Sequence, residues 1–558
     1  MVRRVLDIFY SEVRGLHQAA YVLALFAFGS QMLALIRDRS LASTFGTGIE
    51  LDLYYSAFRI PDLLFVLFAS VLSVYVLIPF VSRTTETAGE QAGAQLLSQI
   101  FSLFLVTYVA IAAVLFVLAP AAVGILFPGL SEHTTELATL MRILLLQPLL
   151  LGISSLFGVI TQLHHRFVVY AISPLFYNIG IIIGVVVFYP LMGLSGLVWG
   201  VVLGSAAHML VQLPLVRSTN LRFGFTTTIS RSFLREVCAV AIPRALTLSL
   251  NQIVLLVLVS VASVMAVGSV SVFQFAFNLQ SVPLAIVGVS YSVAAFPALA
   301  EMLAKQRMRE FSMHIITALR HIIFWSLPII VLMIVLRAHI VRVLLGSGEF
   351  DWDATRLTAA VLALFVISLA AQAVNLLIIR AFYAAGKTKV PLLITLFSSV
   401  GAIFFAGWLY VNARLSDGFL AFFEEIMRVS GVPGTEVLML PLGYSIGMII
   451  QSILLLLFAR RAFSLPLRWL LPHVARAGFA AAVGGFMAYV ALNFVVDGIN
   501  PDTFVGISIQ GLIGGIAGVA GTVLAYYVVR SPELFEVATS LEGKIFKTDV
   551  VAPQEEVL

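Results

Sequence analysis

The sequence predicts an all-α polytopic membrane protein, and three observations carry that prediction. About fourteen apolar stretches of bilayer-crossing length follow one another from Ala19 to Arg530 with almost no soluble sequence between them, where crossing takes about 20 residues each. The 558 residues are 61% hydrophobic, with a mean hydropathy of +1.05. Only 11% are charged, against roughly 25% in a soluble domain.

Hydropathy places a first group of six spans near 19–37, 53–80, 97–123, 135–162, 167–189 and 194–216. A second six fall near 236–267, 271–300, 312–336, 355–383, 390–412 and 437–459, followed by two more near 471–496 and 505–529. Arg3 and Arg4 precede the first run, which continues through Leu35 without a cleavage site, so no removable signal peptide is expected. The longest cytoplasmic connection, 217–235, separates the two groups of six. The expected organisation is an N-lobe over 1–217, a linker over 218–235 and a C-lobe over 236–462. A helix pair over 463–530 and a polar tail over 531–558 complete it.

A weak internal similarity supports the division. Ala57-Phe58-Arg59-Ile60 with Pro79 in span 2 matches Ala276-Phe277-Asn278-Leu279 with Pro297 in span 8. Both halves begin on the same side, so the pseudo-repeat is parallel, about an axis along the membrane normal. In the last span, Gly511, Gly514, Gly515, Gly518 and Gly521 allow a close helix contact.

Basic residues set the orientation. With the N-terminus inside, about twenty Lys and Arg fall on the cytoplasmic side and about seven outside, and an even span count returns the C-terminus to the cytoplasm. The +5 net charge follows from this topology and marks no nucleic-acid patch. Cys238 is the only cysteine, so there is no intrachain disulfide and no cysteine cluster for a metal. No cofactor is expected. Outside, 418–429 (GFLAFFEEIMRV) reads as a short interfacial helix with Phe419, Phe422, Phe423 and Ile426 on one face and Glu424, Glu425 and Arg428 toward water.

Charges within the membrane carry the chemistry, because each costs about 2.5–3.5 kcal/mol at a helix centre. Arg59 lies about two turns into span 2, with Asp62 on the same face. Arg244 lies two turns into span 7, directly after Pro243, which frees a backbone carbonyl. Arg37 and Asp38 end span 1 and Asp52 opens span 2. These groups read either as self-neutralising pairs, Arg59 with Asp62 and Arg37 with Asp38 or Asp52, or as an anion site. Asp62 is the one clear buried carboxylate on this reading, so basic groups outnumber acidic ones and an anionic substrate is favoured. His208 and Gln212, one turn apart in span 6, would line a cavity or pack across helices; His164-His165-Arg166 is a basic turn and not a metal site.

The sequence resembles the MurJ (MviN) family of lipid II flippases, within the multidrug/oligosaccharidyl-lipid/polysaccharide exporter superfamily. The resemblance rests on 30–58 (SQMLALIRDRSLASTFGTGIELDLYYSAF) followed by Arg59-Ile60-Pro61-Asp62-Leu63-Leu64. It rests also on Arg166-Phe167 with Pro174 and Asn178, on 193–214 (GLSGLVWGVVLGSAAHMLVQLP), on 346–357 (GSGEFDWDATRL) and on 380–391 (RAFYAAGKTKVP). It implies translocation of undecaprenyl-pyrophosphate-linked disaccharide-pentapeptide across the bacterial cytoplasmic membrane. The implied mechanism is alternating access between two six-helix lobes, with the last two helices forming a groove for the lipid tail. It also implies the cell-wall synthesis machinery as a partner, and a cationic cavity suited to pyrophosphate.

By motif position, Arg37 matches the second arginine of the family's S-R-x-x-G-x-x-R-D pattern, Asp38 the acid after it, and Asp52 the acid opening span 2. Arg59 matches a basic position. The chain departs from the pattern at Gln31, Phe65 and Asn278, each an arginine in the family, and at Ser70, a glutamate there. The expected substrate-binding residues are therefore Arg37, Arg59, Arg244 and Asn278, with Asp38, Asp52 and Asp62 as gate residues. Two other functions stay open: a flippase for another polyprenyl-pyrophosphate-linked oligosaccharide, and an ion-coupled small-molecule exporter, which would want more carboxylates inside the lobes. A polytopic enzyme would need an acid pair or metal ligands, and Glu424-Glu425 points to different sides of a helix.

Overall fold

A computed structural model of the chain describes residues 16–164, 166–219, 221–228, 230–496, 498–500 and 503–545. Arg3, Arg4, His165 and the tail beyond 545 lie outside the described residues. Every regular element among those described is helical. Among the described residues, twelve helices are long and apolar enough to cross a membrane, or thirteen if one bent pair counts as a single span. The expected count of about fourteen is not reached in that tally, which does not include the thirty-residue helix covering the first expected span.

In chain order, α1 (Leu16–Phe45), α2 (Ile49–Ala57), α3 (Arg59–Val71) and α4 (Val74–Ala88) precede the long α5 (Glu90–Leu126). Then come α6 (Thr134–Leu144), α7 (Leu146–Leu163), α8 (Phe167–Ile183), α9 (Tyr189–Met192), α10 (Leu194–Leu210) and α11 (Leu213–Ser218). The next are α12 (Arg231–Ser263), α13 (Ser269–Leu284), α14 (Ser290–Ala304), α15 (Met308–Val335), α16 (Arg337–Leu345), α17 (Trp352–Val366) and α18 (Leu369–Ala384). The chain closes with α19 (Lys389–Leu415), α20 (Asp417–Met427), α21 (Met439–Phe463), α22 (Leu471–Val490), α23 (Phe504–Val528) and α24 (Pro532–Ile545).

The second expected span, 53–80, is not one helix. It breaks at Phe58, where Pro61 supplies no N–H for the Ala57 carbonyl, and again at Ser73, whose backbone is extended (φ −68°, ψ 144°). The tenth expected span is the bent pair, α17 and α18, at 44°. Short π-helical turns interrupt three others at Gly184–Phe188, Ala285–Val289 and Ala491–Val495. Such one-turn bulges are frequent at functional sites.

The chain forms two compact units. The first comprises Met1–Asn278, Leu344–Val361 and Thr388–Gly447; the second comprises Leu279–Val343, Leu362–Lys387 and Met448–Leu558. Within the first, α8 packs on both α1 and α10, and α12 packs on α3 and α19. The α8–α10 contact is made by glycines. A methyl group on Gly180 would lie 2.2 Å from the Gly204 Cα, and one on Gly200 would lie 2.3 Å from the Gly184 Cα, so backbone meets backbone. The expected interfacial helix is α20, capped by Ser416 and closed by Arg428 at φ +58°. Its Phe422 and Ile426 are exposed. Glu424 does not point to water: it is half-buried and accepts a hydrogen bond from Thr435 at 2.5 Å.

In the second unit α22 packs against α15 and α23. The glycines of the last span do make a close contact: a methyl on Gly518 would sit 2.4 Å from Leu332 and 3.1 Å from Ala488. An apolar groove of about 770 Å³ runs along α23, lined by Gly511, Gly515, Val519, Val523 and, from α24, Leu534. Helix α24 is bolted down by charge. Glu533, 2% exposed, meets Arg320 at 2.8 Å, His473 at 2.5 Å and the Ser531 hydroxyl at 2.7 Å. Glu536 meets Arg320 at 3.2 Å and His321 at 3.0 Å. Burial pushes the Glu533 carboxyl up, but hydrogen bonds from Ser531 and Arg320 outweigh it and hold the group below its ordinary range.

Candidate functional site

The buried charges of the first unit converge on a small cavity of about 180 Å³, whose walls include Arg37, Tyr54, Arg59, Asp62, Tyr177 and Asn278. Five elements supply them. Helix α1 presents Arg37, α2 and α3 present Tyr54, Arg59 and Asp62, α8 presents Tyr177, and α13 presents Asn278. The break at Phe58 sets Arg59 at the start of a new helix, 6% exposed.

A continuous polar chain ties these groups together. Arg37 donates from both Nε (2.9 Å) and Nη2 (2.7 Å) to one oxygen of Asp38, and from Nη1 to the Asn178 side chain at 3.0 Å. The other Asp38 oxygen accepts from Asn278 at 3.0 Å. Asn278 in turn accepts from Gln274, one turn earlier on α13, at 2.6 Å, and Gln274 accepts from Arg59 Nη2. The two positions that the internal similarity pairs, Arg59 and Asn278, therefore meet in one cavity.

Arg59 Nε is buried in that wall with no hydrogen-bond acceptor. A buried donor left unmade costs about 1–3 kcal/mol, more when charged. Stability alone would not keep it so, and the site reads as built for an incoming acceptor.

Asp62 is not the one buried carboxylate. Asp38 and Asp52 are each 3% exposed, whereas Asp62 is half-buried. Two guanidinium groups thus face two carboxylates, and the resting cavity is balanced in formal charge, contrary to the cationic excess expected. Asp52 has a separate job: its two oxygens accept the backbone N–H groups of Gly268 (2.7 Å) and Ser271 (2.8 Å), clamping the start of α13. A carboxylate there also meets the positive end of the helix dipole. Arg244 is half-buried on α12 and does not line this cavity.

A second cavity of about 520 Å³ adjoins the first, with Tyr177 in the wall of both. His208 lines it, as the sequence allowed. Gln212 does not; it is fully buried and donates to the Ser154 hydroxyl at 2.7 Å, which bonds His208 Nδ1 at 2.7 Å.

Sequence reasoning passed over Gln274 and Tyr177, and it met Asn178 only as a motif residue. Gln274 carried a usable signal, since it stands four residues before Asn278 on the same helical face. Tyr177 carried none.

A family model described as lipid II flippase MurJ matches residues 41–505. The chain is 27% identical over 378 residues to a probable lipid II flippase MurJ of Rhizobium tropici, covering 65% of this chain and 70% of that one. It is 23% identical over 499 residues to the lipid II flippase MurJ of Burkholderia cenocepacia, covering 87% and 92%. Among solved structures, a lipid II flippase MurJ in an inward closed conformation is similar at a TM-score of 0.72 and 22% identity, over 91% of this chain and 99% of that one. An inward-facing multidrug transporter of the MATE family is similar at 0.62 and 15% identity, over 78% and 94%. Likeness at these identities speaks to the fold.

Proposed function

This chain belongs to the lipid II flippase MurJ family, and on that premise we propose that it moves lipid II from the inner to the outer leaflet of a bacterial cytoplasmic membrane, as a transporter and not an enzyme. The observation that carries the reading is the buried, acceptor-less Arg59 Nε in a cavity wall that also holds Arg37. A pyrophosphate offers several charged acceptor oxygens, and guanidinium groups bind such oxygens through two parallel N–H donors.

The head group enters a cavity whose charges are already paired, so its phosphates take Arg37 by competing with Asp38. Asn278 then holds the displaced carboxylate. Arg59 meets the second phosphate and gains the acceptor its Nε lacks. The gate reading for Asp52 follows from its clamp on α13: opening that end of the spans requires both backbone bonds to break. The two six-helix groups exchange access around the site by rocking, with both termini cytoplasmic and the groove along α23 receiving the lipid tail. The cell-wall synthesis machinery is the partner that consumes the product.

Flipping tests the proposal in cells depleted of their own lipid II flippase, read as lipid II reaching the outer face. Rescue by the native chain, lost in Arg37→Ala and Arg59→Ala, is the expected result. No rescue from a folded, inserted chain would move the assignment to another polyprenyl-pyrophosphate-linked glycan, which the missing arginines at Gln31, Phe65 and Asn278 would then explain.

A further inference from the structure

The larger cavity beside the charged one has no role in that account, and its walls differ in kind. Among the described residues, no Asp, Glu, Lys or Arg lines it. Its polar groups are hydroxyls and an imidazole, including Ser73, Ser154 and His208, and its broad faces are the rings of Phe65, Tyr170 and Tyr177. The volume of about 520 Å³ lies within the roughly 300–1,000 Å³ usual for small-ligand sites.

The wall is held in place. Gln212 donates to Ser154, and Ser154 fixes His208 through Nδ1. Gln147 donates to the Tyr177 hydroxyl at 3.2 Å. Ser73, in the extended break between α3 and α4, has a buried hydroxyl without a partner.

We infer that this cavity is the subsite for the uncharged saccharide of a phosphate-linked head group. The inference rests on the flippase reading above and assigns a second half to the same site. Hydroxyl and amide groups of a pyranose both donate and accept, matching Ser73 and His208, while the C–H faces of the ring stack on aromatic side chains. An acyl chain would leave the buried Ser73 hydroxyl without a partner, a cost that a sugar removes. Tyr177 sits in both walls, so one ligand can span the two cavities with its phosphates at Arg37 and its sugars here. Phe65 supplies a flat apolar face to the sugar cavity.

The test uses the purified full-length chain in lipid nanodiscs and two probes, a short-chain lipid II and the same prenyl pyrophosphate without sugar. Phe65→Leu and Ser73→Ala should weaken the sugar-bearing probe about tenfold, the loss of one stacking face or hydrogen bond of roughly 1.4 kcal/mol, and leave the sugar-free probe unchanged. Arg37→Ala should weaken both. Unchanged binding of the sugar-bearing probe in both variants, or an equal loss for the two probes, would overturn the subsite while leaving the flippase reading intact. A native chain that binds neither probe would overturn both.

Discussion

Replacing Asp52 tests the clamp on α13 most directly. The carboxylate accepts two backbone N–H groups, from Gly268 and Ser271, and both residues are buried. Asp52→Ala leaves two donors without partners or access to water. At about 1–3 kcal/mol for each unmade bond, local opening of the α13 start should become easier by about 4 kcal/mol. That is roughly a thousandfold in the opening constant at 1.4 kcal/mol per decade. Asp52→Asn keeps one acceptor oxygen and turns a donor toward the other amide, so its expected effect is about 2 kcal/mol, near thirtyfold. Hydrogen exchange of the amides at 268 and 271, measured on full-length protein in nanodiscs, reads the opening directly. Exchange in Asp52→Ala within threefold of the native rate would refute the clamp. An Asn variant slower to protect than the Ala variant would refute the bond count.

Asn278→Asp sets a second carboxylate 3.0 Å from Asp38, and like charges at that range exclude an anion; uptake of lipid II should be lost while the chain still inserts, as read by flipping and membrane fractionation. Glu533→Gln removes the charge that Arg320 and His473 share, and breaking such a buried pair should raise exchange across α24 by about 2–3 kcal/mol. Because the folded carboxyl is depressed, the native clasp should be fully formed above the ordinary Glu range near pH ~4.3 and be lost as pH falls through the lower folded value; protection factors over 532–545, corrected for the intrinsic exchange rate at each pH, that do not fall on acidification would contradict it. Gly200→Leu drives a side chain into the Gly184 backbone and should lower stability by at least about 1–3 kcal/mol, visible as a drop in unfolding temperature.

Spans were legible because a bilayer demands length and apolarity, and both are written locally. The break at Phe58 was half legible, since Pro61 stands three residues on, but the break at Ser73 has no residue that forces it. The site was legible in its charges and not in its pairings. Asp52 was offered to Arg37, yet it bonds amides 216 and 219 residues away. Arg59 was offered to Asp62, its neighbour on the helix, yet it donates to Gln274, 215 residues away. A charge advertises its cost wherever it stands, but only packing decides which distant amide or carbonyl meets it. The glycines at 180, 184, 200 and 204 stood four apart on two neighbouring spans, and their meeting could have been read from spacing alone.

That glycine contact bears on how the chain is made. Helices α8 and α10 are separated only by the π-helical turn at Gly184–Phe188, the short α9 and Gly193, so both leave the ribosome within a few seconds at synthesis rates of roughly 5–20 residues per second. Backbone packed on backbone leaves no space for a lipid between them, and the contact involves no residue from later in the chain. The pair can therefore zip into a finished hairpin before α13 exists, giving Asn178 and Tyr177 a rigid mount. The wall of the site would then be waiting in the membrane for Asn278, about seventy residues before that residue is synthesised.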